Sequence, residues 1–276
     1  MKYIIIYSEC LRSKIIYTNF IKKNSEKIKC LIQVSNYPNA KKKNNLYLFK
    51  KIIKSAFSYQ IYIFIQVILH SLIAIIFNKS LKKLTEKYKI NFLKLKNIPD
   101  ERYLKKNISD FNKKDIIFCS TMHILKKKHL GMKNVILNFH EAPLPNYKGS
   151  ALYFHLLYKN EKIFNTCIMQ PNIKIDTGKI EYKSKNYNIK NLSVCKLALF
   201  GYLLQSRLIF KVNKNLKKIK IKIKKSIYKP YSIPGKIIER KISKIKKNFT
   251  FYDYWILIKL SFSEKKLYNS IKQYLR

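Results

Sequence analysis

The opening stretch MKYIIIYSECLRSK, residues 1–14, decides how the rest of the chain is read. Its apolar run, Tyr3–Tyr7, is too short for a secretory signal, and charge returns at once with Glu9 and Arg12. It reads as a first β-strand. From Leu11 to Lys23 the apolar spacing becomes helical, and Cys30–Val34 is a second short apolar run. That is strand, helix, strand. Ile90–Leu95, Asp115–Cys119 and Val135–Phe139 are further strand candidates. Such alternation predicts an α/β fold, a Rossmann-like, mostly parallel sheet with crossover helices. Buried parallel strands should be almost continuously apolar, and most of these runs are.

The chain has 276 residues, and 47% of them are hydrophobic, enough for a substantial core, so wholesale disorder is excluded. Lys and Arg number 59 against 14 Asp and Glu, a formal charge of +45. Only five of these cations are Arg: Arg12, Arg102, Arg207, Arg240 and Arg276. Surfaces that grip phosphate usually recruit the bidentate guanidinium, so a Lys-dominated excess is weak support for nucleic-acid binding. The field still attracts anions, RNA and acidic lipid at low salt. The five cysteines form no C-x-x-C pair, which argues against a zinc ribbon or a dithiol site and for buried free thiols in a reducing compartment.

The most hydrophobic segment is Ile61–Phe77, flanked by Lys50, Lys51 and Lys54 before and by Lys79, Lys82 and Lys83 after. Its length is marginal for a membrane span, and the flanking charge is not asymmetric. Three readings stay open: a buried crossover helix, an interfacial helix on anionic lipid, or a span. Residues Ser35–Lys51 read as a polar loop or ragged helix start, and Leu192–Lys211 as a helix. Lys214–Lys225 alternates Ile with Lys like an exposed strand, Tyr228–Pro234 reads as a loop, and Phe249–Arg276 reads as closing with a helix. The predicted division is a catalytic unit over 1–211 and a small basic C-terminal extension over 212–276.

Two stretches carry chemistry. In NFHEAPLPNYKG, residues 138–149, Asn138 and His140 lie two apart at the end of an apolar run, so on a strand they face the same side. Ligands of open α/β sheets bind at the carboxyl ends of strands. Pro143 and Pro145 stiffen the following loop, and Gly149 permits a tight turn before a helix at Ser150–Tyr158. In TCIMQPNIKIDTGKIEY, residues 166–182, Asp176-Thr177-Gly178 joins two strand candidates, Thr166–Met169 and Lys179–Tyr182. Alone, Asp176 would be explained by an Asx-type turn.

Together the two stretches resemble the 10-formyltetrahydrofolate-dependent formyltransferases. The family pattern is N-x-H, then P-x-Y/W-x-G, then Asp in a D-T/A-G turn. Here these are Asn138, His140, Pro145, Tyr147, Gly149, Asp176 and Gly178, with 36 positions from His140 to Asp176. The resemblance extends from about Asp115 to Tyr182. It implies direct attack of a primary amine on the formyl carbon, with no metal and no covalent enzyme intermediate. Asn138 and His140 would donate hydrogen bonds to the developing oxyanion, and His140 would manage the amine proton. Asp176 would orient the imidazole and stabilise its charged form.

The resemblance places the folate on two loops, Thr121–Ile124, with Met122, His123 and Ile124, and Pro171–Ile175, with Pro171 and Ile175 as named candidates. Ser8, Glu141 and Tyr147 are the candidate acceptor-binding residues. His70, His129 and His155 read as helix or loop residues without partners. The P-L-P of residues 143–145 and the short tail favour a nucleotide-linked amino sugar as acceptor. The Ser8-Glu9-Cys10-Leu11 turn has no Gly, which disfavours glycinamide ribonucleotide. Methionyl-tRNA is the alternative acceptor, supported by the positive field. A reading of another class is a non-catalytic basic protein on RNA or membrane. The expected location is the cytoplasm, with peripheral contact at the inner membrane face through residues 61–77.

Overall fold

Strand β1, Tyr3–Ser8, shows why the chain forms a layered α/β structure. Its alternate residues feed two cores: Tyr3, Ile5 and Tyr7 on one face, Ile4 and Ile6 on the other. A strand buried on both faces needs helices on both sides of the sheet. In the computed structural model, residues 2–35, 57–76, 80–189, 192–212, 216–217, 230–231, 235–236, 240 and 251–262 are described.

Helix α1, Leu11–Asn24, returns over the first face, with Ile16, Tyr17, Phe20 and Ile21 in its core. Strand β2, Ile28–Val34, pairs parallel with β1. A helical segment, α2, covers 57–76, with a π-helical turn at Phe64–Leu69. Helix α3, Leu81–Lys87, leads to β3, Asn91–Leu95, the edge strand among the described residues, which is only partly buried. Helix α4, Glu101–Asn107, is capped by Asp100, whose carboxylate accepts from Tyr103 N at 3.1 Å. Its Leu104 fills the second face together with Ile98, Ile108 and Met132.

The chain then crosses back. Strand β4, Ile116–Ser120, pairs with β1, and after the short α5, Lys127–Leu130, strand β5, Val135–His140, extends the sheet. Helix α6, Leu152–Tyr158, and a small ribbon of β6, Ile163–Phe164, precede β7, Cys167–Gln170, and β8, Lys179–Lys183. Strand β9, Tyr187–Asn188, pairs with β6. The main sheet runs β3-β2-β1-β4-β5-β7-β8, parallel from β3 to β5 and antiparallel at β7 and β8. Strand order reverses between β1 and β4, the position where open α/β sheets present a crevice at their carboxyl edge. The fold is therefore the Rossmann-like, mostly parallel arrangement expected.

Helix α7, Val194–Leu208, starts at a Ser193 cap accepting from Lys196 N at 3.2 Å and ends in a 3-10 turn at Ile209–Lys211. Helix α8, Phe251–Phe262, packs against α2 and α7 and buries Leu257 completely. Burying one such side chain stabilises by about 1.5–3 kcal/mol. The part of Phe249–Arg276 that is described is thus helical. The expected loop at Ser35–Lys51 and strand at Lys214–Lys225 fall almost entirely outside the described residues, as do most of Tyr228–Pro234 and of the 212–276 extension. The segment Ile61–Phe77 is helical up to Ile76, with Tyr62, Ile65, Val67 and His70 in the core. Among the described residues, no helix is long and apolar enough to cross a membrane.

Candidate active site

The end of β5 carries the first two candidate groups. Phe139 is buried in the core under α1, so its neighbours Asn138 and His140 share the opposite side of the strand. Asn138 is half-buried and lies level with Cys119 of β4 and Met169 of β7. His140 lies level with Cys167. Beyond Gln170 the chain leaves β7, and Asp176 comes back to His140. Asp176 has φ 51°, a left-handed conformation in which Asp is among the better tolerated residues.

His140 Nδ1 is 3.5 Å from Asp176 Oδ1, and both side chains are largely buried. The other carboxylate oxygen, Oδ2, accepts from Gly149 N at 2.8 Å. Burial pushes the Asp176 carboxyl up, but the hydrogen bond and charge of His140, the Gly149 N–H and the Arg12 charge outweigh it and hold it below the ordinary value. His140 Nε2 lies 2.5 Å from the Tyr147 carbonyl, which can only accept, so that nitrogen carries hydrogen. The ring is thereby fixed at both nitrogens.

A second layer holds the backbone of β5, and its central residue escaped the sequence reading. Arg12, in the first turn of α1, donates to the Phe139 carbonyl at 2.8 Å and to Gln205 Oε1 at 3.2 Å. Its third contact is an ion pair with Glu141 at 2.6 Å. Gln205 in turn donates to Thr166 Oγ1 at 2.9 Å, and Thr166 donates to the His140 carbonyl. The ring of contacts thus runs from α1 through α7 and back to His140. Desolvation alone would weaken the Arg12 charge, yet Glu141 together with Tyr153, Tyr202 and Cys10 outweighs it and holds the guanidinium firmly protonated. The one available signal was compositional: Arg12 is one of five Arg in a chain where Lys is the usual cation.

The loop after His140 is clasped from the C-terminal side. Tyr231 N donates to the Lys148 carbonyl at 2.7 Å, and Ser150 N donates to the Tyr231 carbonyl at 3.1 Å. Between them lies Gly149, at φ 98°, where an added Cβ would overlap the Tyr231 carbonyl. Tyr147 stacks on Tyr231 with ring centroids 5.4 Å apart, and Lys159 Nζ lies over both rings. The Tyr147 hydroxyl donates to Glu161 Oε1 at 2.6 Å, and with burial this pushes the phenol up.

The remaining candidates are placed as follows. Ser8 is buried at the end of β1, with its hydroxyl 3.5 Å from the Ser35 carbonyl and 3.4 Å from Met122 N. His123 is half-buried, with Nε2 at 2.6 Å from that same carbonyl, and so is not a free surface imidazole. Met122 and Ile124 after β4, and Ile175 after β7, are exposed apolar side chains, while Pro171 is half-buried. Glu141 is held by Arg12, and Tyr147 by Glu161 and Tyr231.

The expectation that His70, His129 and His155 lack partners is corrected. His129 bridges Lys126 N and the Ile98 carbonyl, His155 packs on Tyr231, and His70 Nε2 is 3.5 Å from Glu9 Oε1. These partners come from distant parts of the chain or from turns that a lone residue type does not announce. All five cysteines are buried and free, and burial pushes Cys119 up to about 11 and Cys30 and Cys167 to about 12. Among the described residues, no group of three or more His, Cys, Asp or Glu could hold a metal ion.

No family model matches the chain. Over 103 residues it is 31% identical to a methionyl-tRNA formyltransferase from Wigglesworthia glossinidia brevipalpis, a stretch covering 37% of this chain and 32% of that protein. The chain thus matches about a third of its relative's length. The formyltransferase resemblance read from the sequence is borne out by this relative. Solved structures that the chain matches include a phosphoribosylglycinamide formyltransferase from Bacillus halodurans, 16% identical over 75% of this chain and 91% of that one, with a TM-score of 0.47. Another is a sugar N-formyltransferase from Shewanella sp FDAARGOS_354, 13% identical over 76% of this chain and 68% of that one, with a TM-score of 0.45.

Proposed function

We propose that the chain transfers a formyl group from 10-formyltetrahydrofolate to a primary amine. The observation that carries this reading is the meeting of His140 and Asp176, 3.5 Å apart, with Asn138 on the same side of β5. Attack of the amine places negative charge on the formyl oxygen. The Asn138 amide and His140 donate to it, and each such donor is worth about 2.7–4 kcal/mol in the transition state. For His140 to do so, the formyl oxygen takes over the Nε2 hydrogen that the Tyr147 carbonyl now accepts. With Nε2 already carrying hydrogen, His140 takes the proton that the amine loses at Nδ1, where the Asp176 carboxylate steadies the charged ring, and the proton goes on to N10 of tetrahydrofolate as the bond from the formyl carbon to N10 breaks. Met122, Ile124, Pro171 and Ile175 offer apolar contact to the flat folate ring, and His123 belongs to the same loop as the first two.

The acceptor we favour is the amine of a nucleotide-linked amino sugar, met by Ser8, Glu141 and Tyr147 in the cytoplasm. The P-L-P loop supports it. For Glu141 to reach an amine it must share its carboxylate with Arg12. A second reading, methionyl-tRNA as acceptor, is favoured by the sequence relative and by the +45 charge. In both readings residues 212–276 serve as an extension to a catalytic unit over 1–211.

The test is release of tetrahydrofolate from 10-formyltetrahydrofolate with two acceptors in parallel, amino-sugar nucleotides and charged initiator tRNA. Turnover with sugars, lost in His140→Ala, supports the favoured acceptor. Turnover with tRNA alone keeps the site and replaces the acceptor. Silence with both, together with failure to bind folate, overturns the reading.

A further inference from the structure

The outward face of α2 is apolar, which is the reverse of an ordinary surface helix. Phe57, Phe64, Ile68, Leu72 and Ile76 are 38–70% exposed and follow one another at intervals of seven, four, four and four. Between residues 57 and 76 there is no Asp, Glu, Lys or Arg. Alongside α2, α8 adds Phe251, 87% exposed, and Trp255, 56% exposed.

The helix cannot roll to hide this face, because its inner side is committed. Tyr62, Ile65 and Val67 are buried, and the Tyr62 hydroxyl bonds to that of Tyr202. His70 sits against Glu9, and Ser71 Oγ donates to the Glu9 carbonyl at 3.1 Å. Leu257 pins α8 in the same way. Contiguous apolar surface held outward marks an interaction site rather than a packing accident.

We infer that the outward faces of α2 and α8 together form a docking surface for an anionic lipid membrane. Charge complementarity selects this occupant. Lys82 and Lys83 are exposed at the start of α3, Lys259 is exposed on α8, and Lys50, Lys51, Lys54 and Lys79 flank α2 in sequence. An apolar face with Phe and Trp, bordered by lysines, matches acyl chains beneath anionic headgroups. A second copy of this chain brings another +45 and is repelled. The membrane is met side-on, since no described helix is long and apolar enough to cross it. This inference is independent of the formyl-transfer reading.

Trp255 is the single Trp of the chain, so its fluorescence reports the patch directly. The full chain is mixed with vesicles of phosphatidylcholine, with or without phosphatidylglycerol, at low and high salt. The expected result is a blue shift and co-sedimentation with the anionic vesicles, both weakened by salt. The double variant Ile68→Glu, Leu72→Glu should lose at least about tenfold in vesicle affinity with an unchanged circular dichroism spectrum. Co-sedimentation with neither a blue shift nor a loss in that variant overturns the inference, because lysines elsewhere then do the binding. So does Trp255 shielded from acrylamide in the free monomer, which would mean that the chain covers its own patch. A dimer by light scattering with Trp255 shielded overturns it in favour of a second copy.

Discussion

The molecule holds two buried imidazole–carboxylate pairs, each 3.5 Å apart and each near the carboxyl end of a parallel strand: His140–Asp176 by β5 and Glu9–His70 by β1. What surrounds them differs. Asp176 takes a backbone N–H from Gly149, and His140 Nε2 meets a carbonyl, so the first pair has its orientation set from both ends. Around the second pair, the Tyr7 hydroxyl lies beside Glu9, but no backbone group among the described residues bonds the Glu9 oxygens or the His70 nitrogens. It joins α2 to β1 without a backbone bond among the described residues to set its orientation. Proximity of His to a carboxylate is therefore not enough to suggest a site; the contacts that fix the ring set the pair proposed for the chemistry apart from the other.

The comparison can be broken by variants of each pair. The largest expected effect is His140→Ala, which should reduce formyl transfer by about 10³-fold or more per folded molecule, with some loss of stability because buried Asp176 keeps only the Gly149 N–H. His70→Ala should differ by sparing the activity. It strands Glu9 in the interior, costing about 3 kcal/mol by urea unfolding, with the turnover per folded molecule preserved. Equal losses of activity in the two variants would erase the distinction.

Asp176→Asn keeps the shape but removes the charge, and should lower turnover by about 10²-fold. It also carries a pH signature. The folded Asp176 carboxyl lies below its ordinary value, so its contribution to stability is complete above the unfolded value of about 3.9 and is lost as pH falls through the folded value. The stability gap between wild type and Asp176→Asn, followed by urea titration, should close as pH drops below about 4. The smallest effect belongs to Gly149→Ala, which strains the positive φ and pushes on Tyr231, costing about 1–2 kcal/mol in urea unfolding.

The sequence reading recovered what local pattern encodes. The Ile-rich runs became β1 and β2, and the spacing from Leu11 to Lys23 became α1. The motif ending VILNFH became β5, with its two polar residues on one side. Helices α3 and α4 were missed, because seven residues of mixed Lys, Leu and Glu carry too little periodicity to stand out. Arg12, Thr166 and Gln205 were missed for a different reason. Their partners lie 26 to 193 positions away, and no spacing announces a bond that only the tertiary fold creates. Tyr231 was read as part of a loop, yet its peptide group joins the backbone beside Gly149.

That last contact has a consequence for the order of synthesis. The amide that supports Asp176 belongs to a loop clasped by a residue 82 positions further along the chain. While a ribosome is still making the segment beyond α7, β5 and Asp176 can already be in place, but Lys148 and Ser150 still lack the peptide that holds them. The proposed reaction centre is then finished only once residue 231 has been made, although every group assigned to its chemistry is translated long before.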